Sequence, residues 1–201
     1  MSGAELYHNG DFMQEIFVFF IRYATINGYM DTASKHQAVP VPENGRALEG
    51  GIDSSTAIIL YKSGLLERFC AGCNIITTDT VQTEIARGPD GHDTARILSK
   101  FCRIEHVSTE GPFGKGENSI LNLFKQGKAS AVFSDDGRFL EYCSKENIPH
   151  YSSIMAPYLL YTAKKLKKKE GLDHTRSIAA QGRFSEWVLE KVNRMWEGGN
   201  F

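Results

Sequence analysis

From Ile52 onward, short apolar runs alternate with stretches of helical periodicity, and this alternation restricts the possible folds more than any other feature. The strand-like runs are Asn74 to Thr78, Arg103 to Val107, Ala131-Val132-Phe133 and a short piece near Ile148, after a first strand that closes at Ile52. Between them Ile58, Tyr61, Leu65 and Phe69 share one helical face, with Ser54 as a natural N-cap. Thr80 is placed to cap a short helix that carries Val81, Glu84 and Ile85 and stops at Gly88-Pro89. A further helix is predicted around Asp93 to Lys100. A loop with Gly111, Gly114 and Gly116 then leads to a helix that begins at Glu117, buries Ile120, Leu121 and Phe124, and ends at Gly127. Helices follow from Arg138 to Glu146, from about Pro157 to Lys169 and from about Thr175 to Trp196. Strands separated by helices imply an α/β fold of three layers, a central, mostly parallel sheet flanked by helices.

Residues 1–48 read as an N-terminal helical extension and loop, and residues 49–201 as the α/β domain. Phe12, Ile16, Phe19, Phe20 and Tyr23 recur at helical spacing, and Pro40, Pro42, Asn44 and Gly45 mark a loop. Such an apolar stripe needs cover, either from the domain or from a second copy of the chain in a homodimer.

With 201 residues, 41% hydrophobic and 23% charged, the chain has enough apolar material for one good core. Its net charge of −1 excludes general electrostatic attraction to nucleic acid, so such binding needs a local patch. Lys164, Lys165, Lys167, Lys168 and Lys169 supply the densest run of charge, which also fits a solvated helix face. The run Ile16 to Ile21 is too short to span a bilayer. The N-terminus lacks a basic region followed by an apolar stretch, so a cytoplasmic protein without membrane partners is expected. Cys70 and Cys73 form a C-x-x-C, but Cys102 and Cys143 are not spaced to complete a zinc site. The pair closes a helix before a strand, the reverse of a redox motif, and reads as packing.

Four acidic positions, Asp53, Glu84, Glu117 and the pair Asp135-Asp136, stand where elements start or end, each in apolar surroundings. A carboxylate is costly near a core unless a cation accompanies it. The conjunction suggests one shared site for Mg²⁺ or Mn²⁺, which prefer oxygen ligands. In a parallel sheet the crevice lies at the carboxyl ends of the strands, where Asp53 follows the first strand and Asp136 the fourth. Taken singly, Asp53 also fits an N-cap and Glu117 a charge favoured by a helix dipole.

The motifs Ile52-Asp53-Ser54-Ser55, Thr78-Asp79-Thr80-Val81 before Glu84, Gly116-Glu117-Asn118-Ser119, Ser134-Asp135-Asp136 and Gly182-Arg183-Phe184-Ser185 occur in an order that resembles the PIN-domain family. That family includes toxin-type and RNA-processing ribonucleases. The resemblance runs from about Gly51 to the last helix and departs from the family at Glu49-Gly50-Gly51, where a solid apolar strand is usual. It implies that Asp53, Glu84, Glu117 and Asp136 are catalytic and hold the metal, with Asp135 as a further ligand and Ser134 as support for the last carboxylate. It implies metal-dependent endonucleolytic cleavage of single-stranded RNA, with the backbone held by Lys164, Lys165, Lys167, Lys168 and Arg183, and Arg138 nearby. An antitoxin or another protein regulator is the partner expected of a toxin-type member. Two other readings remain: an inactive PIN-like module that binds RNA or protein, and a haloacid-dehalogenase-type phosphatase. The second conflicts with Ser55, which stands where that chemistry needs a second Asp two residues after the nucleophile.

Overall fold

A computed structural model describes residues 49–197. The expected N-terminal extension lies outside these residues. Five strands, β1 (Glu49–Ile52), β2 (Asn74–Thr78), β3 (Arg103–Glu105), β4 (Ala131–Phe133) and β5 (His150–Tyr151), form one sheet in the order β3-β2-β1-β4-β5. Every pairing is parallel. β1 and β2 are joined by α1 (Ser54–Lys62) and α2 (Leu66–Gly72), and β2 and β3 by α3 (Asp79–Ala86) and α4 (Gly91–Phe101). α5 (Lys115–Lys125) leads into β4 and α6 (Gly137–Lys145) into β5. A 3₁₀ turn (Ser153–Met155) and α7 (Ala156–Thr162), α8 (Lys168–Gln181) and α9 (Glu186–Glu197) follow. The three-layer α/β fold expected from the alternation is therefore present. No helix among the described residues is long and apolar enough to cross a membrane.

The weak-looking first strand has a packing reason. A Cβ on Gly50 would sit 2.3 Å from the Phe133 ring, and one on Gly51 would sit 3.0 Å from Ile120. The two glycines let β4 place an aromatic ring over β1 on one face and α5 close on the other. Phe133 is fully buried, meets Phe69 edge to face at 5.0 Å and stacks on Tyr151 at 5.2 Å. The apolar material missing from β1 itself is thus contributed by its neighbours.

Several boundaries differ from the sequence reading for local reasons. Asp53, not Ser54, caps α1, and Thr78, not Thr80, caps α3, each accepting a backbone N–H from three residues on. The helix expected to run on to Phe69 breaks at Ser63-Gly64, where Leu65 N–H turns back to the Leu60 carbonyl. The third strand ends at Glu105, and the last is at His150–Tyr151 beyond Ile148. The two C-terminal helices are three, with one break at Lys164, which takes a left-handed φ of 58° after α7, and another between Gln181 and Glu186.

Candidate functional site at the carboxyl ends of β1 and β4

β1 connects towards β2 on one side and pairs with β4 on the other, so the crevice between the carboxyl ends of β1 and β4 is the switch point of this sheet. Asp53 enters it directly after Ile52 and is only 1% exposed. Its Oδ1 accepts from the Thr56 amide at 2.8 Å and from Ser55 Oγ at 3.0 Å. Its Oδ2 accepts from Ser134 Oγ in a short hydrogen bond. Burial pushes the Asp53 carboxyl up to about 7, against the lowering effect of these donors, and the charge of Asp135 pushes the same way. Burial thus brings the proton equilibrium of this carboxyl up towards neutrality, where a bound cation would favour the charged form.

The resemblance implied that Ser134 supports the last carboxylate; its hydroxyl donates to the first, Asp53. Besides donating to Asp53, its Oγ accepts the Asp136 amide at 3.1 Å. The two aspartates that follow diverge. Asp135 Oδ1 accepts the Ser153 amide at 3.0 Å, and burial raises this carboxyl. Thr56 Oγ1 and Ser153 Oγ lie close enough to act on its charge, yet Thr56 Oγ1, Asp135 Oδ2 and Ser153 Oγ are buried without a well-formed hydrogen bond. Asp136 is exposed and caps α6 through the Phe139 amide at 2.8 Å. Of the pair, Asp135 is the one whose charge Asp53 feels.

A second cluster adjoins through the peptide link from Asp53 to Ser54. Ser54 Oγ donates to Glu84 Oε2 at 3.1 Å, and the Gly116 amide donates to Glu84 Oε1 at 2.9 Å. A Cβ on Gly116 would lie 2.4 Å from Glu84 Oε2, so only glycine lets this carboxylate rest against the backbone. Glu117, in the first turn of α5, folds back over Gly114, where a Cβ would stand 2.4 Å from its Oε2. The fold thus brings Asp53 beside Asp135 and Glu84 beside the α5 N-terminus. Among the described residues, no three acidic, His or Cys side chains gather at one point that could hold a metal ion. The donors are hard oxygens of the kind Mg²⁺ and Mn²⁺ prefer, and Asp135 Oδ2 is an orphaned oxygen among them. The donor chemistry fits such an ion.

Of the lysine run, Lys165 is placed by its contacts. Lys165 Cγ would be 3.6 Å from a Cβ on Gly72, and its charge acts on Cys73, the two residues that lead into the amino end of β2. Arg68 of α2 donates to the Lys165 carbonyl and pairs with Glu170. The acids occupy the carboxyl ends of the strands, so Lys165, held near the amino end of β2, lies away from them. Arg183 is exposed in the link between α8 and α9.

A pair that sequence reasoning passed over is Asp79 and His106, immediately after β2 and β3 and joined by a short contact through His106 Nδ1. The register, with Thr78 opposite Glu105, brings them side by side. Hydrogen bonding to His106 holds the Asp79 carboxyl below its ordinary value. Their placement directly after two strands was the available signal.

The C-x-x-C closes α2 before β2, as expected. All four cysteines are free thiols. Contact with Cys102 and burial push the Cys70 thiol up, and burial pushes Cys73 to about 11 and Cys143 to about 12. Native protein should therefore show at most one rapidly reacting thiol with DTNB, the half-buried Cys102, and four after denaturation. Two or more fast thiols in the folded protein would contradict the packing role.

Compared with known proteins, the chain matches no family model, and no curated protein matches it at a significant level.

Proposed function

We propose that the chain is a divalent-metal-dependent endoribonuclease of the PIN type, acting in the cytoplasm on phosphodiester bonds of single-stranded RNA. The observation that supports this most is Asp53, a buried carboxylate at the switch point that is fixed by Ser134 from the neighbouring strand and adjoins Glu84. Asp53, Asp135, Asp136, Glu84 and Glu117 are the residues that would hold Mg²⁺ or Mn²⁺. When bound, such an ion polarises a phosphoryl oxygen and acidifies water. The rest is the work of the chain. Ser134, Ser55 and the Thr56 amide fix the Asp53 carboxylate, so little reorganisation remains for the reaction itself. Glu84, steadied by Ser54 and the Gly116 amide, can take a proton from the attacking water. An antitoxin-type regulator and a second copy of the chain are the protein partners this reading allows.

A second reading, an RNA-binding module without activity, is favoured by one observation: no three acidic side chains share a point among the described residues. Labelled RNA and DNA strands incubated with Mg²⁺, Mn²⁺ or EDTA separate the two. Internal cleavage of single-stranded RNA with either ion, and none in EDTA, is the expected result. Binding without cleavage under every condition selects the module. Hydrolysis confined to small phosphomonoesters selects a phosphatase.

A further inference from the structure

Resting on the ribonuclease reading, we infer that Lys115 and Arg138 are the phosphate contacts that seat a nucleic-acid strand across the acidic crevice, one on each side. An acidic crevice repels a polyanion, so a strand that enters it needs cations close by. Lys165 of the lysine run lies near the amino end of β2, away from the crevice. His106, at the correct end, is already engaged by Asp79. Lys115 and Arg138 are exposed, and neither forms an ion pair among the described residues.

Both residues stand close in the chain to groups that bind the acids or their partners. Lys115 precedes Gly116, whose amide binds Glu84. Arg138 is two residues after Asp136, whose amide binds Ser134 Oγ, and that oxygen binds Asp53. Lys115 thus adjoins the Glu84 cluster and Arg138 the Asp53 cluster. Glu84 belongs to α3, which follows β2, while Arg138 follows β4, and β1 lies between those strands. Two strand spacings amount to roughly 10 Å between the strand ends that the two clusters follow, about the span of one phosphodiester unit and its neighbours.

Helix electrostatics oppose both placements. Lys115 is the first residue of α5 and Arg138 the second of α6, where the positive end of the helix dipole disfavours a cation. α6 has no acidic residue in its first turn to offset this beyond its cap, Asp136. A polyanion on the crevice would reverse the balance. The guanidinium of Arg138 can grip a phosphate through two parallel hydrogen bonds, and the Lys115 ammonium acts as a point charge.

The test measures binding of a labelled hexanucleotide RNA to the full chain in EDTA, by anisotropy over a range of salt concentrations. Lys115→Ala and Arg138→Ala should each reduce the slope of log affinity against log salt by about 0.7. The double variant should bind roughly ten-fold more weakly. Lys145→Ala, which removes a cation at the far end of α6 that is paired with Glu141, should leave affinity and slope unchanged. Circular dichroism checks the fold of each variant. Wild-type affinity and slope in both rim variants overturns the inference while leaving the ribonuclease reading intact. A slope that falls as expected in a protein that cleaves nothing with Mg²⁺ or Mn²⁺ upholds the inference and removes the ribonuclease reading. No binding of RNA by wild type removes the inference, while cleavage with Mg²⁺ or Mn²⁺ still decides the ribonuclease reading.

Discussion

Asp53→Asn is expected to lower metal-dependent cleavage of single-stranded RNA by roughly 10³-fold or more, with the fold retained. Asn keeps the size of Asp53 and can still accept the Thr56 amide while meeting the Ser134 hydroxyl, so the α1 cap survives. What disappears is a negative charge at the switch point, an interaction worth most in the transition state, so turnover should fall far more than RNA affinity. Ser134→Ala makes a graded comparison. It leaves the charge but frees one carboxylate oxygen, and loss of such an orienting partner typically costs 10- to 100-fold (about 1 to 3 kcal/mol). Asp136→Asn tests a different point. Asn caps helices as well as Asp, so a large loss there would report a role for the Asp136 charge in the site and not a weakened α6. Single-turnover rates with saturating RNA, measured for the three variants beside wild type, decide the matter. Unchanged cleavage in Asp53→Asn would remove this crevice as the active site.

The fold was legible because its signals are local and repeated. Ala131-Val132-Phe133 has to be a buried strand, and the Gly127 stop before it and the Asp136 cap after it bracket that strand. β1 was the obscure strand. Its stability comes from Phe133 and Ile120 filling the space over Gly50 and Gly51, a fact about tertiary neighbours that no window around residue 50 contains. The caps were misplaced by one or two residues because Asp53-Ser54 and Thr78-Asp79-Thr80 each offer several capping side chains, and only the end of the strand selects among them. The candidate acids could be listed from the sequence, but their partners could not. That Glu84 rests on the Gly116 amide, that Ser134 serves Asp53, and that Asp135 turns towards Ser153 depend on which strand ends lie side by side. Lys165 shows the same limit, since charge density along the chain is visible in sequence but its place near the amino end of β2 is not.

In metal-free protein Asp53 should contribute a loss of stability as pH rises from about 4 to about 7, and Asp53→Asn should remove that contribution. The direction follows from proton linkage. The Asp53 carboxyl titrates at about 7 in the folded chain against an ordinary value of 3.8, so between these limits the folded state binds more protons than the unfolded one. Its contribution is fully present below about pH 4, declines through the interval, and levels off above about 7. A shift of this size corresponds to something on the order of 4 kcal/mol between the two ends for a fully buried group. Asp135, also raised by burial, adds to the same slope. His150 opposes it, because burial lowers its pKa, and stability is lost as pH falls below its ordinary 6.5 and the buried ring must charge. The raw profile therefore mixes signs. The difference between wild type and Asp53→Asn, from urea unfolding in EDTA at each pH, cancels His150 and isolates the carboxyl. That difference should favour the variant progressively as pH rises to about 7 and then stay constant. A difference that does not vary with pH would mean that Asp53 ionises freely in the folded protein. Added Mn²⁺ should shrink the difference above about pH 6, since an ion bound to the charged form stabilises the state that burial disfavours. The same competition predicts that Mn²⁺ affinity weakens as pH falls below about 7, where each bound ion must displace the proton held by Asp53.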